Sequence, residues 1–169
     1  SGAKVGDSIC VQGCCLTVIR KAKGRLWFDV SRETLRVTAG LDRPGAVNLE
    51  KSLGLRDKLG GHLVTGHVDG IGLVLQRREG FLWIKTSKAL SRYVARKGSV
   101  CVDGVSLTVV DCDSTSFSVS LVGFTRDNTN LSRRHPGDAV NLEADIIARY
   151  VERFTSGKGG GVTMGLLQE

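Results

Sequence analysis

Apolar and polar side chains alternate along CCLTV at 14–18, so that Cys14, Leu16 and Val18 fall on one face of a strand and Cys15 and Thr17 on the other. The alternation returns along VSLTV at 105–109. There Val105, Leu107 and Val109 make the apolar face and Ser106 and Thr108 the polar one. Other short strands are predicted at LWFDV (26–30) and AVNLE (46–50), and several across 59–86, with paired glycines between them and a charged hairpin at 77–80. Valine, threonine and glycine-rich turns dominate, a pattern that predicts small, mostly antiparallel barrels. Three helical stretches interrupt it. SRETLRVT (31–38) reads as a short helical turn. SKALSRYVARKG (87–98) places Leu90, Tyr93 and Val94 at helical spacing, with a serine cap and Gly98 as a stop. ADIIARYVERF (144–154) spaces Ile147, Tyr150, Val151 and Phe154 for a third, with Asp145 at its start as a natural N-cap. Beyond it, TSGKGGG reads as a flexible linker and VTMGLLQE as a segment that docks elsewhere.

The two alternating stretches belong to a longer repeat. SICVQGCCLTV (8–18) and SVCVDGVSLTV (99–109) agree at seven of eleven positions. Thr34 and Thr38 fall opposite Thr125 and Thr129, and PGAVNLE (44–50) returns as PGDAVNLE (136–143). The chain is a tandem duplication. Its period of about 91 residues makes each copy a small domain, and two similar domains imply two similar pockets. The copies differ on the polar face mainly by Cys15 against Ser106, a thiol against a hydroxyl.

Composition narrows the function. The chain has 169 residues, enough for two such domains, and no run of the roughly 20 apolar residues that a membrane span needs. Five cysteines without a pairing pattern and no apolar leader point to free thiols in a reducing, cytoplasmic setting. The net charge of +7 raises nucleic acid as a partner. It is spread over separated pairs such as Arg77 with Arg78 and Arg133 with Arg134, so a solvated basic surface is the better reading. Metal is excluded by the spacing: there is no CxxC pair, and His62 and His67 lie five apart, which suits neither a helix face nor a strand face. Cys10, Cys14, Cys101 and Cys112 read as small buried hydrophobes, whereas Cys15 shares the polar face with Thr17.

Taken together, GDSICVQGCCLTV, ETLRVT, VNLE, LGGHLVTGHVDG, KGSVCVDGVSLTV and VNLEADIIARYVER closely resemble riboflavin synthase of the α-chain type, from Gly6 to Phe154. The resemblance implies an all-β fold of two tandem six-stranded antiparallel barrels with short helices and a C-terminal helix. Residues 1–53 would form the N-terminal barrel, 54–145 the C-terminal barrel, and 146–169 a trimerisation helix and tail. It implies a cytoplasmic transferase, a homotrimer with active sites between subunits, and no cofactor. The reaction is a dismutation in which one 6,7-dimethyl-8-ribityllumazine gives a four-carbon unit to another, yielding riboflavin and 5-amino-6-ribitylamino-uracil. The rival expectation is a carrier of the same superfamily that binds the chromophore without converting it.

Carried over motif by motif, Ser8, Cys15, Thr17, Glu33 and Thr34 would line the first pocket, with His67 added from LVTGHVDG. Tyr93, Lys97, Asp103, Ser106, Thr108, Val122 and Thr125 would line the second and hold the ring and ribityl hydroxyls. Cys15, Ser8, His67 and Asp145 are the catalytic candidates, because the chemistry takes a proton from the C7 methyl and adds a nucleophile to the other ring. The chain departs from the family at Gly123 and Phe124, where a proline and an acidic residue or histidine are usual. It also shows nothing like the family's opening Met-Phe-Thr-Gly-Ile. The first copy has only seven residues ahead of Ser8, so the repeat predicts a first barrel without its opening strands and a weak or inactive synthase when this stretch folds alone.

Overall fold

A computed structural model of the chain describes residues 2–156; the VTMGLLQE segment lies outside the described residues. The first copy forms β1 (Ser8–Val11), β2 (Cys14–Ala22), β3 (Arg25–Phe28), the short helix α1 (Arg32–Val37) and β4 (Leu49–Lys51). These strands make a four-stranded sheet in the order β3-β2-β1-β4. The second copy opens with β5 (Gly70–Arg78), β6 (Phe81–Lys85) and the single turn α2 (Lys88–Ser91). It then repeats the first pattern as β7 (Ser99–Val102), β8 (Val105–Cys112), β9 (Ser116–Ser120), α3 (Gly123–Asn128) and β10 (Ala139–Ala144). Its six strands close into a barrel, β10-β5-β6-β9-β8-β7. The helix α4 (Ile146–Thr155) follows.

The duplication is visible in the register. Cys10 pairs with Cys15 and with Glu50, as Cys101 pairs with Ser106 and Glu143. Both copies shift register after the same valine, Val18 in β2 and Val109 in β8. Closure of the second copy comes from β5 and β6, which pair with β10 and β9. In the first copy β4 and β3, the equivalents of β10 and β9, are the sheet's edges among the described residues. The cores differ accordingly. Fifteen buried apolar residues fill the barrel, among them Phe117, Leu82, Ile84 and Leu142, against six in the sheet, where Ile9, Cys14, Leu16 and Val18 lead. At roughly 1.5–3 kcal/mol per large apolar side chain buried, the barrel carries most of the hydrophobic stabilisation.

The copies are locked together where their hairpins meet. Gln12–Gly13 and Asp103–Gly104 both have left-handed backbones, with φ of 51° and 89° in one turn and 50° and 84° in the other. That is the geometry of a two-residue hairpin turn whose second position suits glycine. The turns abut, and paired asparagines stitch them: Asn141 Nδ2 donates to the Gln12 carbonyl (2.8 Å) and Asn48 Nδ2 to the Asp103 carbonyl (2.9 Å). In return the Asn48 N–H donates to Gln12 Oε1 (3.0 Å) and the Asn141 N–H to Asp103 Oδ1 (2.8 Å). Arg134 closes the second half of this arrangement with an ion pair to Asp103 at 2.7 Å.

Some local expectations change. The helix expected over 87–98 is one turn, capped by Ser87; beyond it the Tyr93 and Val94 N–H groups bond three residues back, to Leu90 and Ser91. The tighter winding lets both side chains pack against the barrel core. Residues 59–69 form no strand, because side chains of the second copy hold their backbone. The Glu143 carboxylate accepts from the N–H groups of Thr65 (2.7 Å) and Gly66 (2.8 Å). On α4, Ile147, Tyr150, Val151 and Phe154 share an exposed apolar face. Among the described residues no helix is long and apolar enough to cross a membrane.

Candidate active site

A cavity of about 670 Å³ opens at the junction of the two copies. One wall is the sheet, through Cys10, Cys15 and the stretch from Asn48 to Leu53; the other is the barrel rim, through Gly104, Val105, Ser106 and the α3 residues Phe124, Thr125 and Asn128. The connecting segment, with Gly61, His62, Thr65 and Gly66, threads between them. Such a volume suits a bicyclic ring with a polar chain.

Glycines in that segment allow close approach. Gly66, at φ +78°, lies over β2 so tightly that a β-carbon there would be 2.6 Å from the Cys15 β-carbon. Its carbonyl accepts from the Cys15 N–H at 2.8 Å. Held by Glu143 on one side and bonded to Cys15 on the other, this segment fixes the backbone beneath the thiol. The Cys15 side chain is exposed, on the face opposite buried Cys14 and Leu16. Burial pushes the thiols of Cys14 and Cys101 above the ordinary value and that of Cys10 up to about 11.

Across the cavity, Ser106 Oγ lies 2.7 Å from His62 Nδ1 and accepts from the His62 backbone N–H at 3.2 Å. With that N–H donating inward, the hydroxyl proton is free to point at Nδ1. Burial lowers the His62 pKa, opposed in part by the charges of Asp145 and Glu143, so the ring is neutral at pH 7 and keeps a basic nitrogen. Its Nε2 is buried without a partner among the described residues. Gly61 must be glycine here, since any β-carbon would collide with Ser106 Oγ.

Of the residues expected from sequence, the structure gathers Cys15, Ser106 and Thr125 around this one cavity. Ser8 and Thr17 pair with each other farther along β1 and β2. Glu33 is exposed and bonded to Arg36, and Thr34 Oγ1 lies 2.9 Å from Ser31 Oγ at the start of α1. His67 is exposed and Thr108 projects outward from β8. The Tyr93 hydroxyl donates to Glu152 on α4 at 3.4 Å, and the Lys97 backbone, at φ +66°, bonds to Val109. Val122 caps α3 and Asp145 caps α4, accepting from the Ile147 N–H at 2.9 Å. Asp103 is fully buried in the turn lock, where burial raises its pKa against the pull of Arg134. Sequence reasoning passed over His62, weighed only as a metal ligand; the signal that marks it is the Gly60–Gly61 pair just before it.

Residues 1–52 and 65–145 match the model of the lumazine binding domain. A riboflavin synthase of Mycobacterium tuberculosis is 44% identical over 164 residues, covering 91% of this chain and 82% of the relative. The chain belongs to the lumazine-binding family of riboflavin synthases. Within that family, the riboflavin synthase of Actinobacillus pleuropneumoniae is 42% identical over 156 residues, 89% of this chain and 73% of the relative. Among solved structures, LumP complexed with riboflavin superposes with a TM-score of 0.75 at 24% identity, over 84% of this chain and 80% of that one. That likeness establishes the lumazine-binding fold.

Proposed function

We propose that the chain is a riboflavin synthase, converting two molecules of 6,7-dimethyl-8-ribityllumazine to riboflavin and 5-amino-6-ribitylamino-uracil in the cytoplasm. The observation that carries this reading is one cavity lined both by Cys15 and by a neutral imidazole bonded to the hydroxyl of Ser106. A dismutation needs both a nucleophile for one ring and a base for the C7 methyl of the other. Cys15, fixed from behind by Gly66, supplies the first. The His62–Ser106 pair supplies the second: Nδ1 takes the hydroxyl proton as the oxygen takes one from the methyl, and the reverse transfer protonates the leaving fragment.

The family's resemblance also points to a homotrimer, which the exposed apolar face of α4 supports. Sedimentation of the Ile147→Ser, Phe154→Ser double variant tests this; an unchanged trimer would move the contact elsewhere.

Incubating the protein with the lumazine and following riboflavin absorbance and fluorescence tests the reaction. Formation of riboflavin together with an equal amount of the uracil supports it. Binding of the chromophore with no conversion would instead make the chain a carrier.

A further inference from the structure

We propose that Cys10 and Cys15 form a reversible cross-strand disulfide when the protein meets a peroxide, capping the Cys15 thiol from within the fold. The two residues are direct partners in the β1–β2 pairing. Side chains of directly paired residues point to the same side of a sheet, and both of these line the junction cavity.

The hydrogen-bond pattern decides whether the pair can be bridged. The Cys15 N–H turns away from β1 to the Gly66 carbonyl. Two residues beyond Cys10, the Gln12 N–H turns away from β2 to the Asn48 carbonyl, and the alternation of a strand gives Cys10 the same direction toward β4. Neither residue bonds to the other, so this is the close, non-hydrogen-bonded kind of pair. Its α-carbons lie about 4.5 Å apart by the geometry of such pairs. A disulfide spans roughly 4.4–6.8 Å between α-carbons, a range that includes this separation.

Cys10 and Cys15 also divide the labour. Cys15 is exposed and meets the oxidant, whereas Cys10 is half-buried and its thiol is pushed up to about 11, so it stays protonated until a partner is presented. The Cys15 thiolate attacks the peroxide, breaking its O–O bond, and becomes a sulfenic acid as one water leaves. The Cys10 sulfur then displaces the hydroxyl of that sulfenic acid, forming the S–S bond and releasing a second water. Two thiols lose two electrons, and the peroxide takes them. The second copy has no such device: opposite Cys101 stands Ser106.

The experiment uses the full chain, treated with dilute hydrogen peroxide, quenched with iodoacetamide and digested with trypsin. The peptide spanning 5–20 holds Cys10, Cys14 and Cys15. It should lose two hydrogens, resist alkylation at Cys15, and recover both thiols with dithiothreitol. The change should vanish in Cys10→Ser and in Cys15→Ser and persist in Cys14→Ser. Persistence in Cys10→Ser, a bridge from Cys10 to Cys101, or oxidation of Cys15 to sulfinic acid without a bridge would each overturn the proposal.

Discussion

Gly13 faces the backbone nitrogen of Gly104 so closely that a β-carbon on Gly13 would sit 2.9 Å from it, and one on Gly104 would sit 3.0 Å from the Gly13 nitrogen. The contact is reciprocal, one hairpin turn against its own repeat. It leaves no room for any side chain at either position.

Gly13→Ala is therefore expected to lose more stability than Gly137→Ala, a site with the same left-handed backbone (φ +91°) but open space around it. Strain alone costs about 1–3 kcal/mol at either position. The excess in Gly13→Ala, read from urea midpoints, measures the clash.

Removing Arg134 leaves the Asp103 carboxylate buried and unpaired. Arg134→Met should cost about 3–5 kcal/mol at pH 7, with Asp103→Asn in that background returning part of it. Burial already raises the Asp103 pKa above the ordinary 3.8, and losing the cation raises it further. A raised carboxylate gives stability that is present at low pH and is lost as pH rises through the folded value. Acidifying the Arg134→Met protein from neutrality should thus recover stability, and a flat urea midpoint across that range would contradict the pairing.

How far the sequence foretold this can be seen residue by residue. In β2 the period-two pattern ran long enough to name the buried face, and Cys14, Leu16 and Val18 are indeed inside while Cys15 and Thr17 are outside. The repeat likewise anticipated matching strands. For the pockets, the repeat assigned one to each copy. Sorting residues by copy put Cys15 and Ser106 in separate sites, yet the junction brings them to one cavity, because the segment between the copies folds back over both. That segment has no strand periodicity, and its path is set by a carboxylate 78 residues away, Glu143. Asp103 was carried over from the family motif as a ligand contact. Its equivalence to Gln12, equally buried and equally followed by glycine, is the clue that both serve the turn.

Cys15→Ser should keep lumazine binding and lower turnover by about two orders of magnitude, the scale of losing one activated group. A hydroxyl preserves the size of the side chain but ionises far less readily than a thiol. Single-turnover fluorescence separates binding from conversion, and full activity would remove Cys15 from the chemistry.

The His62–Ser106 pair predicts an acid limb in turnover. Because burial lowers the His62 pKa, the neutral ring persists somewhat below 6.5 and activity should fall only under that value. The same sign holds for the fold: a depressed histidine contributes stability present above its unfolded pKa and lost as pH falls below it. Ser106→Ala should depress turnover without moving the urea midpoint as far as Gly13→Ala does.

The bond from Asn141 to the Gln12 carbonyl joins residues 129 positions apart. During synthesis the first hairpin therefore emerges long before the strand that secures it, and closing a loop of that length costs on the order of 4 kcal/mol of chain entropy. The barrel, whose strands β5 to β10 are complete among themselves, needs no strand of the first copy to close. The first sheet is in effect the passenger of the second, assembled onto a template that the ribosome delivers after it.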